Sequence, residues 1–119
     1  MTVRDDIAAA ITLTAVIDGQ DVSITGHRVQ PDTIGPFDAW PVWVSTAWES
    51  TCVREYVYNV VVALPASDPG TFVPAADDVV EVVGSALYDK GYPPELATPV
   101  QIVLANEGPM PAVQIQVTI

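Results

Sequence analysis

The two side chains with the most reactive chemistry are a histidine and a cysteine, and each occurs once, as His27 and Cys52. A nucleophile needs a neighbouring base and a metal site needs several ligands, so a lone histidine lacks the partners for either kind of site. Free cysteine commonly behaves as a small buried hydrophobic residue. We therefore expect His27 at a strand end or in solvent and Cys52 in the core, with no catalytic residues.

The densest group of carboxylates consists of Asp77, Asp78 and Glu81. Asp77 and Glu81 lie on one face of a helix, where they could hold a hard cation or act as acid and base. Acidic residues are also favoured at helix starts because they face the positive end of the dipole, and we favour this explanation. No calcium loop and no glycine-rich phosphate loop is present. The sequence thus predicts no metal, no cofactor and no enzymatic activity.

The elements that must position these side chains follow from hydrophobic periodicity and turn residues. Thr2 suits a helix N-cap, and Val3, Ile7 and Ile11 recur at helical spacing. The predicted elements are a helix Val3–Ala15, a turn at Asp18-Gly19, a strand Val22–Val29, a loop Pro31–Pro41, strands Trp43–Glu49 and Cys52–Leu64, a loop Pro65–Phe72, a helix Pro74–Asp89 closed by Lys90-Gly91, and a hairpin Val100–Ile119 that turns at Asn106–Pro109.

This order predicts one α+β domain over residues 1–119, since strands interrupted by a helix form a sheet that helices cover on one face. We expect a mostly antiparallel sheet, with Cys52–Leu64 as its central strand. The N-terminal helix and the longer second helix are expected to pack on one face of it.

The composition is strongly acidic, with 15 Asp and Glu against 4 Lys and Arg and a formal charge of -11. Such a chain has too few cations to neutralise phosphates, so nucleic-acid binding is excluded, and anionic membranes would repel it. The charge serves solubility alone, or it forms a wall past which DNA moves without sticking. We expect no signal peptide, no membrane span and no disulfide, and hence synthesis in the cytoplasm.

Three tryptophans lie close together, at positions 40, 43 and 48. The positions of Trp43 and Trp48 differ by an odd number, so in a regular strand the two side chains would face opposite sides of the sheet. The side away from the core must then be covered by a loop or helix of this chain or by another chain. Tryptophan is enriched at the energetic centres of interfaces.

The order of elements, together with the segments YNVVVALP, PAADDVVEVVGSAL and QIVLANEGPMPAVQIQVTI, resembles the tail terminator proteins of long-tailed phages, actinobacteriophage members in particular. The resemblance covers most of the chain and implies a virion protein at the head–tail junction. It implies a homo-oligomer, a hexameric ring that caps the tail tube protein and joins it to a head-side neck protein. DNA would pass through the lumen without specific binding.

The family offers no residue-level motif, so the sites are hypotheses drawn from this sequence. The subunit or tube interface is assigned to Pro31, Ile34, Phe37, Trp40 and Trp43. Asp32 and Asp38 are assigned to the lumen. Two alternatives stay open. One is another neck component, such as a head-completion or stopper protein, or a tube subunit. The other is a small acidic protein that blocks a basic partner.

Overall fold

The computed structural model describes residues 2–48, 50, 54–65, 69–104 and 108–119. These residues form two helices and a curled six-stranded sheet with the strand order β1-β2-β3-β4-β6-β5. The elements in chain order are α1 (Val3–Ala10), β1 (Leu13–Ile17), β2 (Gln20–Gly26), β3 (Asp38–Trp48), β4 (Arg54–Ala63), α2 (Pro69–Asp89), β5 (Pro94–Leu104) and β6 (Gly108–Thr118).

The sheet is antiparallel except where β2 meets β3, a short parallel pairing at Thr25–Asp38 and Gly26–Ala39. The predicted α+β class and mostly antiparallel sheet are confirmed. β4 pairs with β3 on one side and β6 on the other, so the segment richest in β-branched residues is central, as predicted.

Both helices pack on one face of the sheet, where they enclose the larger hydrophobic cluster. The predicted period of two in β6 is confirmed, because Val113, Ile115 and Val117 all face this cluster. From α2, Val79 and Val83 are completely buried against the same face. This two-layer arrangement is what the apolar stripe of each helix and the apolar face of the strands require.

The short helix α1 begins as predicted but ends early. The Thr2 hydroxyl accepts a hydrogen bond from Asp5 N at 3.2 Å, and the Asp5 carboxylate accepts from Thr2 N, which completes a capping box. The predicted continuation to Ala15 is wrong, because Leu13–Ile17 forms the edge strand β1. The β-branched residues there favour a strand, and the predicted Asp18-Gly19 turn joins β1 to β2 with both residues at positive φ.

The second helix starts earlier than predicted and ends where predicted. It begins at Pro69, so Pro74 lies inside it, and the predicted loop Pro65–Phe72 is wrong in its second half. At the other end Gly91 has a φ of +87, and Tyr92 N donates to Leu87 O at 2.9 Å. This is the left-handed cap expected of Lys90-Gly91.

Other predicted bounds change as well, including that of the last hairpin, whose first strand begins at Pro94 and not at Val100. The strand predicted over Val22–Val29 ends at Gly26, and the loop predicted over Pro31–Pro41 stops earlier because β3 already begins at Asp38. Glu49 and Cys52, predicted within or beside strands, lie outside the described residues, as do Asn106 and Glu107 of the predicted last turn.

A second, smaller hydrophobic cluster lies on the sheet face opposite the helices. Ile34, from the loop between β2 and β3, packs there against Trp40, Val61, Ala63 and Ala112. The loop is held in place by backbone hydrogen bonds, including Phe37 N to Ala63 O at 2.7 Å. The described loop between β2 and β3, within the segment predicted as the loop Pro31–Pro41, is therefore folded back on the sheet.

Candidate functional site

The outer half of β3 and the start of β4 form a two-stranded extension, which we call the arm and define as residues 42–48 and 54–58. β3 pairs with β2 only at Asp38 and Ala39, so within the described part of the chain the arm has one strand neighbour for residues 42–48, which is β4. The molecule measures 48 × 31 × 23 Å. An extension with a free side is where a sheet protein meets other chains.

The arm carries two exposed tryptophans, Trp43 at 55% and Trp48 at 64% exposure. Trp43 lies opposite Tyr58 and Trp48 opposite Arg54, so both side chains are on the helix-bearing face. The expectation that they face opposite sides is wrong, because Val44 is an extra residue in the pairing that shifts the alternation by one. The arm thus presents both indole rings in one direction.

Local contacts orient the two rings. Nε1 of Trp43 donates to Oγ1 of Thr46 at 2.9 Å, and the Arg54 guanidinium lies 5.9 Å from the centre of the Trp48 ring. A cation over an aromatic face restricts the ring without covering it. Preorganised aromatic side chains lose less conformational entropy when they are buried in a contact.

The free edge of the arm carries no charge. Residues 40–48 read WPVWVSTAW, in a chain with a formal charge of -11. Nη1 of Arg4 donates to the Pro41 carbonyl at 3.1 Å and closes the root of this edge. From Val42 to Trp48 neither a proline nor a charged side chain discourages pairing with another strand. Such an edge can add a strand from another chain, with backbone hydrogen bonds as the main contact.

The sheet face opposite the helices, which we call the open face, is uncharged at its centre, while Glu55 and Glu95 lie at its margins, where Glu95 accepts a hydrogen bond from Gln116. Register places on it a run of uncharged side chains from the two central strands: Val57, Asn59, Val61, Ala63, Ala112, Gln114, Gln116 and Thr118. The carboxylates of α1 and α2 belong to the other face. Sequence reasoning missed this segregation of charge, because it depends on which strands are neighbours.

The predicted interface residues divide between interior and surface. Ile34 and Trp40 are 4% and 2% exposed, inside the second cluster, so their side chains are not free to contact another chain. Phe37 packs at the margin of the larger cluster, and Pro31 is half-buried. Of the predicted interface residues, Trp43 is the one with an exposed side chain. It therefore remains the candidate for contact with another chain.

The two carboxylates predicted for the lumen have different surroundings. Asp38 lies 3.0 Å from His27 Nε2 through one oxygen, and its other oxygen accepts from Gly35 N at 2.7 Å. Asp38 therefore organises the loop, and His27 lies at a strand end, as expected. Asp32 is exposed. A lumenal position for either residue stays a prediction.

The carboxylates of α2 do not converge on a common point. Asp78 accepts a hydrogen bond from Asp18 N at 2.7 Å and so fixes the β1–β2 turn, whereas Asp77 and Glu81 are exposed. Within the described residues no group of three or more potential ligands could hold a metal ion.

The resolved pKa shifts belong to contacts of α1 with its surroundings. Hydrogen bonds from the backbone and hydroxyl of Thr2 lower the pKa of Asp5, and Arg28, which forms an ion pair with it, acts in the same direction. Burial raises the pKa of Tyr92, and Asp6, which accepts its hydroxyl at 3.2 Å, adds to this. The contacts of Asp5 and Tyr92 stabilise the fold, and neither residue belongs to the arm.

No protein-family model matches this chain, and no curated protein or solved structure matches it significantly either. Among the described helices none is both long enough and apolar enough to cross a membrane. The functional argument therefore starts from the arm and the open face.

Proposed function

We propose that this chain is a structural subunit that joins copies of itself in a closed ring, with the role of a phage tail terminator. Such a ring would cap the tail tube, dock to the head-side connector and let DNA pass through its lumen. The observation that carries the proposal is the free edge of the arm, residues 42–48, which is uncharged and exposes Trp43 and Trp48 in a strongly acidic protein.

The arm suits a head-to-tail contact. An edge on one subunit that meets a different surface on the next makes a heterologous interface, and repetition of that interface closes a ring when the rotation permits. Interface centres are depleted in charged residues and enriched in aromatic ones, as the arm is. The part of the open face that the loop leaves uncovered carries the uncharged residues Val57, Asn59, Gln114, Gln116 and Thr118, and it is a matching surface for the arm of a neighbouring subunit.

The distribution of charge supports the same role. A ring that buries its uncharged surfaces between subunits leaves its carboxylates to solvent and to the central channel. A negative channel wall repels the phosphates of DNA, which then passes without adhering. Asp32, which is exposed, is our candidate for this wall.

The test measures mass against concentration by mass photometry and light scattering, with negative-stain images, both alone and with purified tail tubes. We expect ring-shaped particles, hexameric by the resemblance, either free or on tube ends. The double substitution Trp43→Ser with Trp48→Ser should leave a folded monomer. Tyr88→Ser is the matched control, because Tyr88 is an aromatic residue that is 68% exposed on α2, outside both the arm and the open face.

Two results would contradict the proposal. One is a wild-type chain that stays monomeric at every concentration and fails to bind tail tubes. That outcome favours the alternative of an acidic protein that blocks a basic partner. Salt would weaken such binding. The other is a double variant that assembles as well as the Tyr88→Ser control, which would remove the arm from the interface.

A further inference from the structure

A long groove follows one flank of α2, between this helix and β5. Its larger part has a volume of about 1050 Å³, and it continues into a smaller part of about 430 Å³ that shares Val80 and Glu81 as lining residues. From Val73 to Asp89 the groove follows the helix for roughly 24 Å, at the usual rise per residue. We call it the α2 groove.

The floor of the α2 groove is apolar. Val73 is 48% exposed on the helix side, and Ala97 and Pro99 are exposed on the strand side. Register places Ala97 and Pro99 opposite Ile115 and Val113, so they belong to the helix-bearing face, which α2 leaves uncovered over β5. A strip of sheet beside a helix is where a further helix packs, at about 8–10 Å between axes.

The rim of the α2 groove is acidic. Asp77, Glu81 and Asp89 line it, and the first two are exposed at a spacing of four residues along the helix. The complementary surface carries Lys or Arg beside an apolar stripe. This chain has 4 basic residues in all and α1 contains Asp5 and Asp6, so a second copy would bring like charge to the rim.

We propose that the α2 groove binds an amphipathic helix of another protein, with its apolar stripe on the floor and its Lys and Arg side chains against the rim. A strand is a poorer occupant, because Pro94 and Pro99 interrupt the edge of β5 with residues that lack an N–H. The groove is separate from the arm, so this inference does not depend on ring formation.

The probe is a synthetic peptide of about 18 residues, long enough to span the groove as a helix. Leucines at helical spacing form one face and lysines flank it. Two comparison peptides replace lysine by glutamate or scramble the order so that the apolar face is lost. Fluorescence anisotropy with the full chain measures affinity, and a photo-reactive group on the apolar face of the peptide reports the residues it contacts.

The Leu/Lys helix should bind more tightly than both comparison peptides, weaken as salt rises, and cross-link to Val73, Val80 or Ala97. Asp77→Lys with Glu81→Lys should weaken binding about tenfold or more, because like charges then meet across the contact. Asp21→Lys with Asp32→Lys makes the same change in net charge at exposed sites away from the groove and should have a much smaller effect.

Three outcomes would overturn the proposal. Equal weakening by both double reversals means that net charge alone attracts the peptide. Cross-links confined to the arm or the open face place the site elsewhere. A change in oligomeric state on reversal of Asp77 and Glu81, without loss of peptide binding, assigns the groove to a contact between copies of this chain.

Discussion

Trp40 and Trp48 lie on the same strand in opposite surroundings. Trp40, at the inner end of β3, is 2% exposed under Ile34, whereas Trp48, at the outer end, is 64% exposed. The inner end is enclosed by α1 and by the loop between β2 and β3, and the outer end has a single strand neighbour. The difference indicates that the inner half of the strand stabilises the fold, whereas the side chains of the outer half are exposed.

The sharpest test of this comparison replaces each tryptophan by alanine. Trp40→Ala should lower the free energy of unfolding by about 3–5 kcal/mol, since it empties a buried site. Trp48→Ala should cost less than about 1 kcal/mol, mainly the loss of its contact with Arg54. Urea unfolding followed by circular dichroism at low protein concentration measures both. Similar costs for the two substitutions would mean that the outer end is as enclosed as the inner one.

A second test compares the replacement of glycine by alanine at Gly26 and at Gly84. A Cβ at Gly26 would lie 2.1 Å from the Ala8 carbonyl oxygen, so α1 must shift, whereas at Gly84 its nearest neighbour is Pro94 Cγ at 3.7 Å. Gly26→Ala should destabilise by about 1–3 kcal/mol through overpacking. Gly84→Ala, in the α2 groove, should stabilise by up to about 1 kcal/mol through helix propensity.

Thermal unfolding of both glycine variants provides the measurement. Destabilisation by Gly84→Ala would show that the α2 groove is more tightly packed than its volume indicates. Tolerance of Gly26→Ala would show that α1 can move away from β2 at little cost.

The smallest expected effect concerns the capping box of α1. Thr2→Ala should cost about 1 kcal/mol at neutral pH, a usual value for an N-cap. The pKa of Asp5 is lowered in the folded state, so its stabilising contribution is present above its ordinary value of 3.8 and is lost as pH falls through the folded pKa. The stability difference between Thr2→Ala and wild type should therefore shrink below about pH 4.

Denaturant titrations at several pH values check this difference. Thr33→Ala, in the exposed part of the loop, is the control, and its small effect should not change with pH. If the stability difference between Thr2→Ala and wild type stays constant down to strongly acidic pH, the contribution of the cap does not depend on the ionisation of Asp5.

The elements predicted well from sequence were those with a local physical signature. Thr2 caps, Asp18-Gly19 turns and Gly91 ends a helix through interactions within a few residues of each position. The alternation in β6 fixed its buried face in the same way. Such signals need no knowledge of the tertiary fold.

The parts that were missed depend on distant residues. The close approach of α1 to Gly26, the parallel pairing of β2 with β3 and the uncharged centre of the open face all require the strand order. The early start of α2 at Pro69 places a proline inside a helix, contrary to the usual preference for the first turn. Trp40 was assigned to an interface because a hydrophobic residue looks the same in sequence whether its cover comes from this chain or another.

The extra residue Val44 determines how the arm responds to the deletion of single codons. Loss of the Val44 codon would leave Trp43 and Trp48 on the same face, because the remaining residues of β3 keep the same pairing partners on β4. Loss of the Ala47 codon would bring Trp48 opposite Glu55 and turn its ring to the other side of the sheet. Two deletions of equal length, three codons apart, would thus have different effects on the arm, because one keeps both indole rings on one face and the other separates them.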